Sequence, residues 1–394
     1  MPKRKLITTA IGLIGLFATL TIISLASYVL RHRDESLQTN TAAWARNHQL
    51  NFVVDRLESW LHSGPPSAKP ADSLSLTTEP SLPTEPSLPT EPSLPTEPSL
   101  PTDTPSTTSP NTKQETPANI APVISPALKD EGTWRVLASV GGQPVMWSTS
   151  IRPLASLGSV VASAVVIDHT RLTAGLFKGT EIPGSGPWNN YKRVMPAARP
   201  ALVAAFNGGF RFNHIKSGYL SEGRIVRPLI DGEATFGIRA DGSSTIGILG
   251  TDMFNDGTWT TLRQNLPPVI QDGEISIARY PGTYWGNELH NVTYVMRSAI
   301  CTLDDGRLLY AAVGDVDINA LANVLLLFGC RTAMQLDINK PLPQFVTFTR
   351  PGESKRDGIL LDKRMGNPNR YLNNATKDFF AFFDPALLPA NLVK

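Results

Sequence analysis

The chain has 394 residues, a length that suggests two or three domains at most. Its 36 Lys and Arg balance 34 Asp and Glu, and no basic run lies beyond the extreme N-terminus, which argues against a nucleic-acid partner. Composition is ordinary for a globular protein except for 33 prolines, and most of that excess sits in one block.

Lys3, Arg4 and Lys5 precede an uncharged apolar run from Leu6 to Leu30. As a helix this run spans about 37 Å, enough for a hydrocarbon core of about 30 Å. Charge placement predicts a single-pass anchor over residues 1–33, with the N-terminus cytoplasmic and the rest outside the membrane. The alternative is a cleaved signal peptide, with Ser24-Leu25-Ala26 as the cleavage site. Residues 34–63 follow, in which Trp44, Leu50, Val53, Val54, Leu57, Trp60 and Leu61 recur at threes and fours. This spacing predicts an amphipathic helix that lies on the membrane or packs on the later domain.

Residues 64–130 read as a linker. The hexapeptide Glu-Pro-Ser-Leu-Pro-Thr begins at Glu79, Glu85, Glu91 and Glu97, between proline-rich flanks. Such a segment favours extended polyproline conformation, and at about 3.1 Å per residue it would reach roughly 190 Å as a stalk.

From residue 131 to 394 the pattern changes to short apolar runs punctuated by Asp-Gly turns at Asp231, Asp241, Asp256, Asp272 and Asp305. This predicts a strand-rich α+β domain with a mixed sheet and a few packed helices. Ala201 to Ala204 read as a buried strand that ends on Asn207-Gly208-Gly209-Phe210. That ending suits either a hairpin turn or a polar group delivered to an open, backbone-lined place. One helix is clear: Asp317 caps it, Ala320, Leu321, Val324, Leu325 and Phe328 form its apolar face, and Gly329 ends it. A second apolar strand, Ala333 to Leu336, follows and ends on Asp337. Cys301 and Cys330 are outside any metal-ligand spacing; they either pair as a disulfide in an exported domain or stand as two separate buried thiols.

No nucleophile elbow, zinc-protease helix, P-loop or dinucleotide fingerprint is present, so no metal or cofactor is expected. The domain holds only His169, His214 and His290, which leaves carboxylates, amides and arginines at strand ends to carry chemistry. That set suits glycosidic or phosphodiester substrates.

Three segments in order resemble the phosphodiester glycosidase family: Phe206-Asn207-Gly208-Gly209-Phe210 with Gly218-Tyr219 and Glu222-Gly223, then Arg297-Ser298-Ala299-Ile300, then Gly329 to Asp337. The chain also carries Arg263-Gln264-Asn265-Leu266 and Trp285-Gly286, as in a secreted or anchored actinobacterial-type branch. It departs from the better-known members after Asp337, where Ile338-Asn339-Lys340-Pro341 replaces a Gly-Gly-Gly-Ser run.

The resemblance implies an extracytoplasmic hydrolase of a sugar-phosphate or envelope glycan, with a glycan-binding module as the alternative. It implies Asp337 as acid, base or nucleophile, against a cap or turn. Asn207 would bond sugar or phosphate with help from Gly208 and Gly209 N–H groups, and Arg297 would bind phosphate or orient a carboxylate. Glu222, Asp315 and Asp231 are candidates for a second carboxylate, and His214 and Lys216 for a phosphate contact. Arg263, Gln264 and Asn265 either line the pocket or satisfy loop carbonyls. Trp285 is a sugar platform or a core residue, and Asn339 sits in the altered substrate loop.

Overall fold

The computed structural model describes residues 65–76, 116–280, 294–338, 342–348 and 357–393, together with residues 15, 18–30, 37, 41, 44, 45, 48, 50 and 285. The hexapeptide repeats and Asn339 therefore lie outside the described residues. So do the first half of the apolar N-terminal run and most of the predicted amphipathic helix. Residues 18–30 are helical, and no helix among the described residues is long and apolar enough to cross a membrane. Trp44 is buried and donates its indole N–H to Ser24 Oγ at 3.0 Å.

Strands dominate. In chain order they are β1 (Arg135–Val140), β2 (Gln143–Ile151), β3 (Ala162–Ile167), β4 (Thr173–Phe177), β5 (Leu202–Asn207) and β6 (Tyr219–Ser221). Then come β7 (Arg224–Arg227), β8 (Ala234–Arg239), β9 (Ser244–Ile248), β10 (Trp259–Gln264), β11 (Ile270–Gln271) and β12 (Glu274–Ile275). After β13 (Val295–Thr302) and β14 (Leu308–Val316) stands the helix α1 (Ile318–Leu327), followed by β15 (Thr332–Ile338), β16 (Phe345–Phe348), β17 (Gly358–Leu360) and β18 (Phe379–Phe383).

They form an eight-stranded sheet, β1-β2-β3-β14-β13-β15-β11-β12, and two five-stranded sheets, β7-β6-β10-β8-β9 and β17-β16-β5-β18-β4. Pairings between these strands run antiparallel, for example β13 with β15 and β5 with β18. Parallel contacts among the described residues are isolated bridges such as Lys178 with Tyr191.

The side-chain alternation of β13 explains the layering. Ala299 and Cys301 face a core shared with α1, where Leu321, Val324 and Leu325 are fully buried. Ile300 and Met296 face the opposite core, which the five-stranded sheets cover. At the centre of that second core the Phe206 ring meets Tyr310 at 5.5 Å, Phe380 at 5.3 Å and Phe345 at 5.9 Å between centroids. Those rings fix the end of β5, and so the turn that follows it. Asp317 caps α1 by accepting from Ala320 N at 2.7 Å, and Gly329 takes φ +82° just past its end. That Gly329 turn feeds β15, and Cys330 pairs with Cys301 in a disulfide between β13 and the turn.

The stretch read as linker is bound to the domain at both ends. Leu76 bridges to Asp362, Ala71 N donates to Gly158 O, and Ser159 N donates to Ser67 O. On the other side Asn119 accepts from Trp134 N at 3.1 Å, and Ile120 N donates to Gly132 O. The buried Arg152 closes this strap: its guanidinium reaches Glu131 at 2.7 Å and the carbonyls of Ile124 and Pro126. Residues 65–76 and 116–130 thus belong to the folded unit, and the domain starts ahead of residue 131. A stalk that runs from membrane to domain through residues 64–130 does not fit this arrangement, because both flanks of the repeats return to the same domain.

Candidate functional site

Three strand ends meet beside the Gly-Gly turn. Asn207 closes β5, Asp337 lies near the end of β15, and Lys377-Asp378 lead into β18, whose Phe379 is in register with Asn207. The Gly208 backbone joins them: its N–H donates to Asp378 O at 3.0 Å and its carbonyl accepts from Asp337 N at 3.1 Å. Asn207, Gly208, Asp337, Leu342, Lys377 and Asp378 line a narrow cleft at this junction, with room of about 10 Å³.

The glycines are there for room. A Cβ on Gly208 would lie 2.7 Å from both the carbonyl and the carboxylate Oδ1 of Asp378. One on Gly209 would lie 2.6 Å from Asn265 Oδ1 and 2.7 Å from the Arg263 guanidinium. The Gly208 N–H is engaged with Asp378, so it does not face the cleft as a ligand donor.

Asn207 is also committed to the protein. Its Oδ1 accepts from Tyr310 Oη at 3.0 Å and from Gln344 N at 2.9 Å. Its Nδ2 donates to Ser298 Oγ at 3.0 Å and to Gly208 O at 3.2 Å. Two lone pairs and two N–H groups are thereby satisfied, which exhausts the amide. The expectation that Asn207 binds sugar or phosphate is replaced by a positioning role, tying β5 to β13, β14 and the chain before β16.

Asp337 does face the cleft. Its Oδ1 accepts from Ile338 N at 2.9 Å, and its Oδ2 pairs with Lys377 Nζ in a short ion pair. Ser298 Oγ donates to its carbonyl at 2.8 Å, which holds the strand end in place. Burial pushes the Lys377 ammonium below the ordinary lysine range, while Asp337 opposes that shift. Asp378 pairs with Arg263 at 2.7 Å, and both side chains are fully buried. Burial pushes Asp378 above the ordinary carboxylate range against the pull of Arg263, and the neighbouring Asp337 adds to the rise.

Lys377 and Asp378 were not singled out by sequence. A Lys-Asp pair ahead of Phe379-Phe380-Ala381-Phe382-Phe383 looks like the solvated entry to a strand. The available signal was a charged pair abutting an unbroken buried run.

Other predicted residues are placed differently. Arg297 neighbours Ser298 on β13 and so projects to the opposite sheet face, where it donates to Val316 O at 2.9 Å and Trp285 O at 3.5 Å. Burial pushes it down to about 10. It does not converge with Asp337 and Asn207, contrary to the expectation of a phosphate-binding strand. Arg263 reaches Asp378 and also donates to Phe210 O at 3.0 Å. Gln264 accepts from Gly218 N and Ile230 N and donates to Ile230 O, so it satisfies loop backbone. Asn265 accepts from Phe210 N at 2.9 Å and donates to Gln335 O, which pins the glycine turn to β15.

Glu222, at φ +49°, clamps Lys178 at 2.5 Å together with the Asn189 and Asn190 N–H groups. It forms a loop brace outside the cleft lining. Trp285 is a core residue beside α1, with Tyr280 packed edge-on at 6.5 Å. Asp315 lies exposed on the bulged end of β14, two strands from β15, and Asp231 is exposed beside Gly250. Neither supplies a second carboxylate to the cleft. His214 and Lys216 follow the turn, Lys216 exposed, and neither lines the cleft.

Residues 201–337 match the phosphodiester glycosidase family model. Among solved structures, the zebrafish N-acetylglucosamine-1-phosphodiester α-N-acetylglucosaminidase catalytic domain, auto-inhibited by its pro-peptide, is similar at 18% identity. That match covers 63% of this chain and 86% of the other, with a TM-score of 0.43. A hypothetical protein from Synechocystis is similar at 11% identity, covering 61% and 62% of the two chains with a TM-score of 0.43. An exported protein from Burkholderia pseudomallei is similar at 11% identity, covering 60% and 75% with a TM-score of 0.36. No curated protein matches the chain.

Proposed function

We propose that the chain is a glycosidase that hydrolyses the bond between a sugar and a phosphodiester, with Asp337 as its working carboxylate. The observation that carries this reading is the Asp337–Lys377 ion pair in the cleft, beside the Gly208 backbone, with Asp337 at the end of the stretch that matches the family. Asp337 activates a water or attacks the anomeric carbon directly. In the first case the water oxygen bonds to that carbon, Asp337 takes the water proton, and the glycosidic C–O bond breaks. The electron pair then leaves on the phosphate oxygen. A phosphate is a stable leaving anion and needs little protonation, so one free carboxylate suffices. Lys377 balances the carboxylate beforehand and stands where it can balance the departing phosphate. Asp378 with Arg263 holds the floor of the site through Gly208.

Our reading places this domain outside the cell membrane, acting on envelope or exopolysaccharide glycan. The basic residues ahead of the Leu6–Leu30 run support it, as does the disulfide, which persists in oxidising compartments. Protease cleavage of the domain on intact cells is the expected outcome; protection until lysis would contradict the location.

The activity is tested by incubating the full chain in detergent with a panel of glycosyl phosphodiesters and following release of free sugar. Release by the native chain and its loss in Asp337→Asn is the expected result. Saturable glycan binding that survives Asp337→Asn, with no product from either protein, would instead indicate a glycan-binding module.

A further inference from the structure

We infer that Arg211 is the residue that grips the substrate phosphate at the cleft mouth, and that Glu181 holds its place until substrate arrives. This rests on the glycosidase reading above and adds a residue outside the short sequence segments that carry the resemblance. Arg211 directly follows the Gly208-Gly209-Phe210 turn. Glu181 is bound to the backbone that leads into Lys377: its N–H donates to Thr376 O at 2.8 Å, and Gly179 packs against the same Thr376-Lys377 backbone. An Arg211–Glu181 ion pair therefore links the segment that follows the Gly208-Gly209 turn to the segment bonded to the Thr376-Lys377 backbone, beside the cleft.

Both side chains of the pair keep 19% exposure, whereas the Arg263–Asp378 pair has none. A partly exposed arginine can exchange one oxyanion for another at a lower desolvation cost than a fully buried pair. A guanidinium accepts carboxylate and phosphate in the same two-pronged geometry, so Glu181 is a chemical stand-in for a phosphate. Arg211 is also close enough to Lys377 to help lower its proton affinity. The other Glu181 oxygen accepts from Tyr28 Oη at 2.6 Å, which leaves that carboxylate a partner when Arg211 turns to substrate.

The test uses inorganic phosphate as the probe, titrated calorimetrically into the full chain in detergent, with thermal melts to confirm folding. Arg211→Ala should weaken phosphate binding about 10-fold or more, and Arg211→Lys should restore only part of it. Glu181→Gln removes the competitor and should tighten binding several-fold, about 3- to 10-fold. The opposite sign for the two variants is the signature, because a merely structural brace would make both weaken binding or leave it unchanged. Equal affinity in all variants, or weakening by Glu181→Gln, overturns the inference. Turnover is read separately: phosphate binding with these signs but no sugar release would sink the glycosidase reading alone.

Discussion

Gly208 and Asp378 are in contact closer than any side chain on Gly208 would allow. The Gly208 N–H meets the Asp378 carbonyl at 3.0 Å, and an added Cβ would stand 2.7 Å from that oxygen. Neither neighbour can give way cheaply, since one is backbone and the other is the buried carboxylate paired with Arg263. Gly208→Ala should therefore push the turn away from β18 at a cost of about 1–3 kcal/mol. Displacing the turn by even part of an ångström should lower turnover by about 100-fold. A thermal melt and a kinetic assay on the same sample check both effects.

Asn207 contributes to stability rather than to substrate contact. Asn207→Ala removes the acceptor for Tyr310 Oη and Gln344 N, two donors in the buried region. Orphaned buried donors cost about 1–3 kcal/mol each, so urea unfolding should show a loss of about 2–6 kcal/mol. An equally stable variant that fails only in substrate binding would restore the ligand role.

The Cys301–Cys330 disulfide closes a loop with a sequence separation of 29 residues. Chain-entropy reasoning assigns such a loop about 3–4 kcal/mol. A melt with and without reductant should show the reduced protein less stable by that order. Identical melts, with reduction confirmed by thiol titration, would remove the disulfide from the stability account.

Glu131 ties the residue 116–130 strap to the domain and gives a pH test of that role. Burial works against its ionisation, but hydrogen bonds from Arg152 and from the Leu128 and Arg152 N–H groups win, and the carboxyl falls below the ordinary glutamate range. A depressed carboxyl contributes stability above its unfolded pKa, and this is lost as pH falls through its folded pKa. Glu131→Gln should thus lower stability at neutral pH and flatten its acid decline. Parallel acid limbs in the two proteins would contradict the coupling.

Much of this arrangement was legible wherever one local pattern dominated. The Asp317 cap, the Leu321–Leu325 face and the Gly329 turn follow from helix chemistry alone, and α1 starts and stops where they direct. The Gly208-Gly209 turn and the Asp337 strand end also converge as their shared apolar-then-polar pattern suggested.

What the pattern hid was direction. Arg297 and Ser298 are neighbours in sequence, yet alternation gives the cleft side to Ser298 and the far side to Arg297. Only the registers of β13 and β15 decide this, and they depend on a bulge between Arg297 and Ala299. Asn207 looked like a ligand because its four internal partners come from positions up to 137 residues away. The flanks of the proline-rich stretch looked like linker because short irregular segments bind through backbone hydrogen bonds that composition does not encode.

The central claim is that Asp337, balanced by Lys377, performs the cleavage. The most direct measurement is the single-turnover rate of sugar release from one glycosyl phosphodiester by the native full chain, Asp337→Asn and Lys377→Met, each shown to be folded. The account predicts a rate loss of about 100- to 10,000-fold in Asp337→Asn, as expected for removal of a working carboxylate, and a substantial loss in Lys377→Met. Release by Asp337→Asn at the native rate would contradict it.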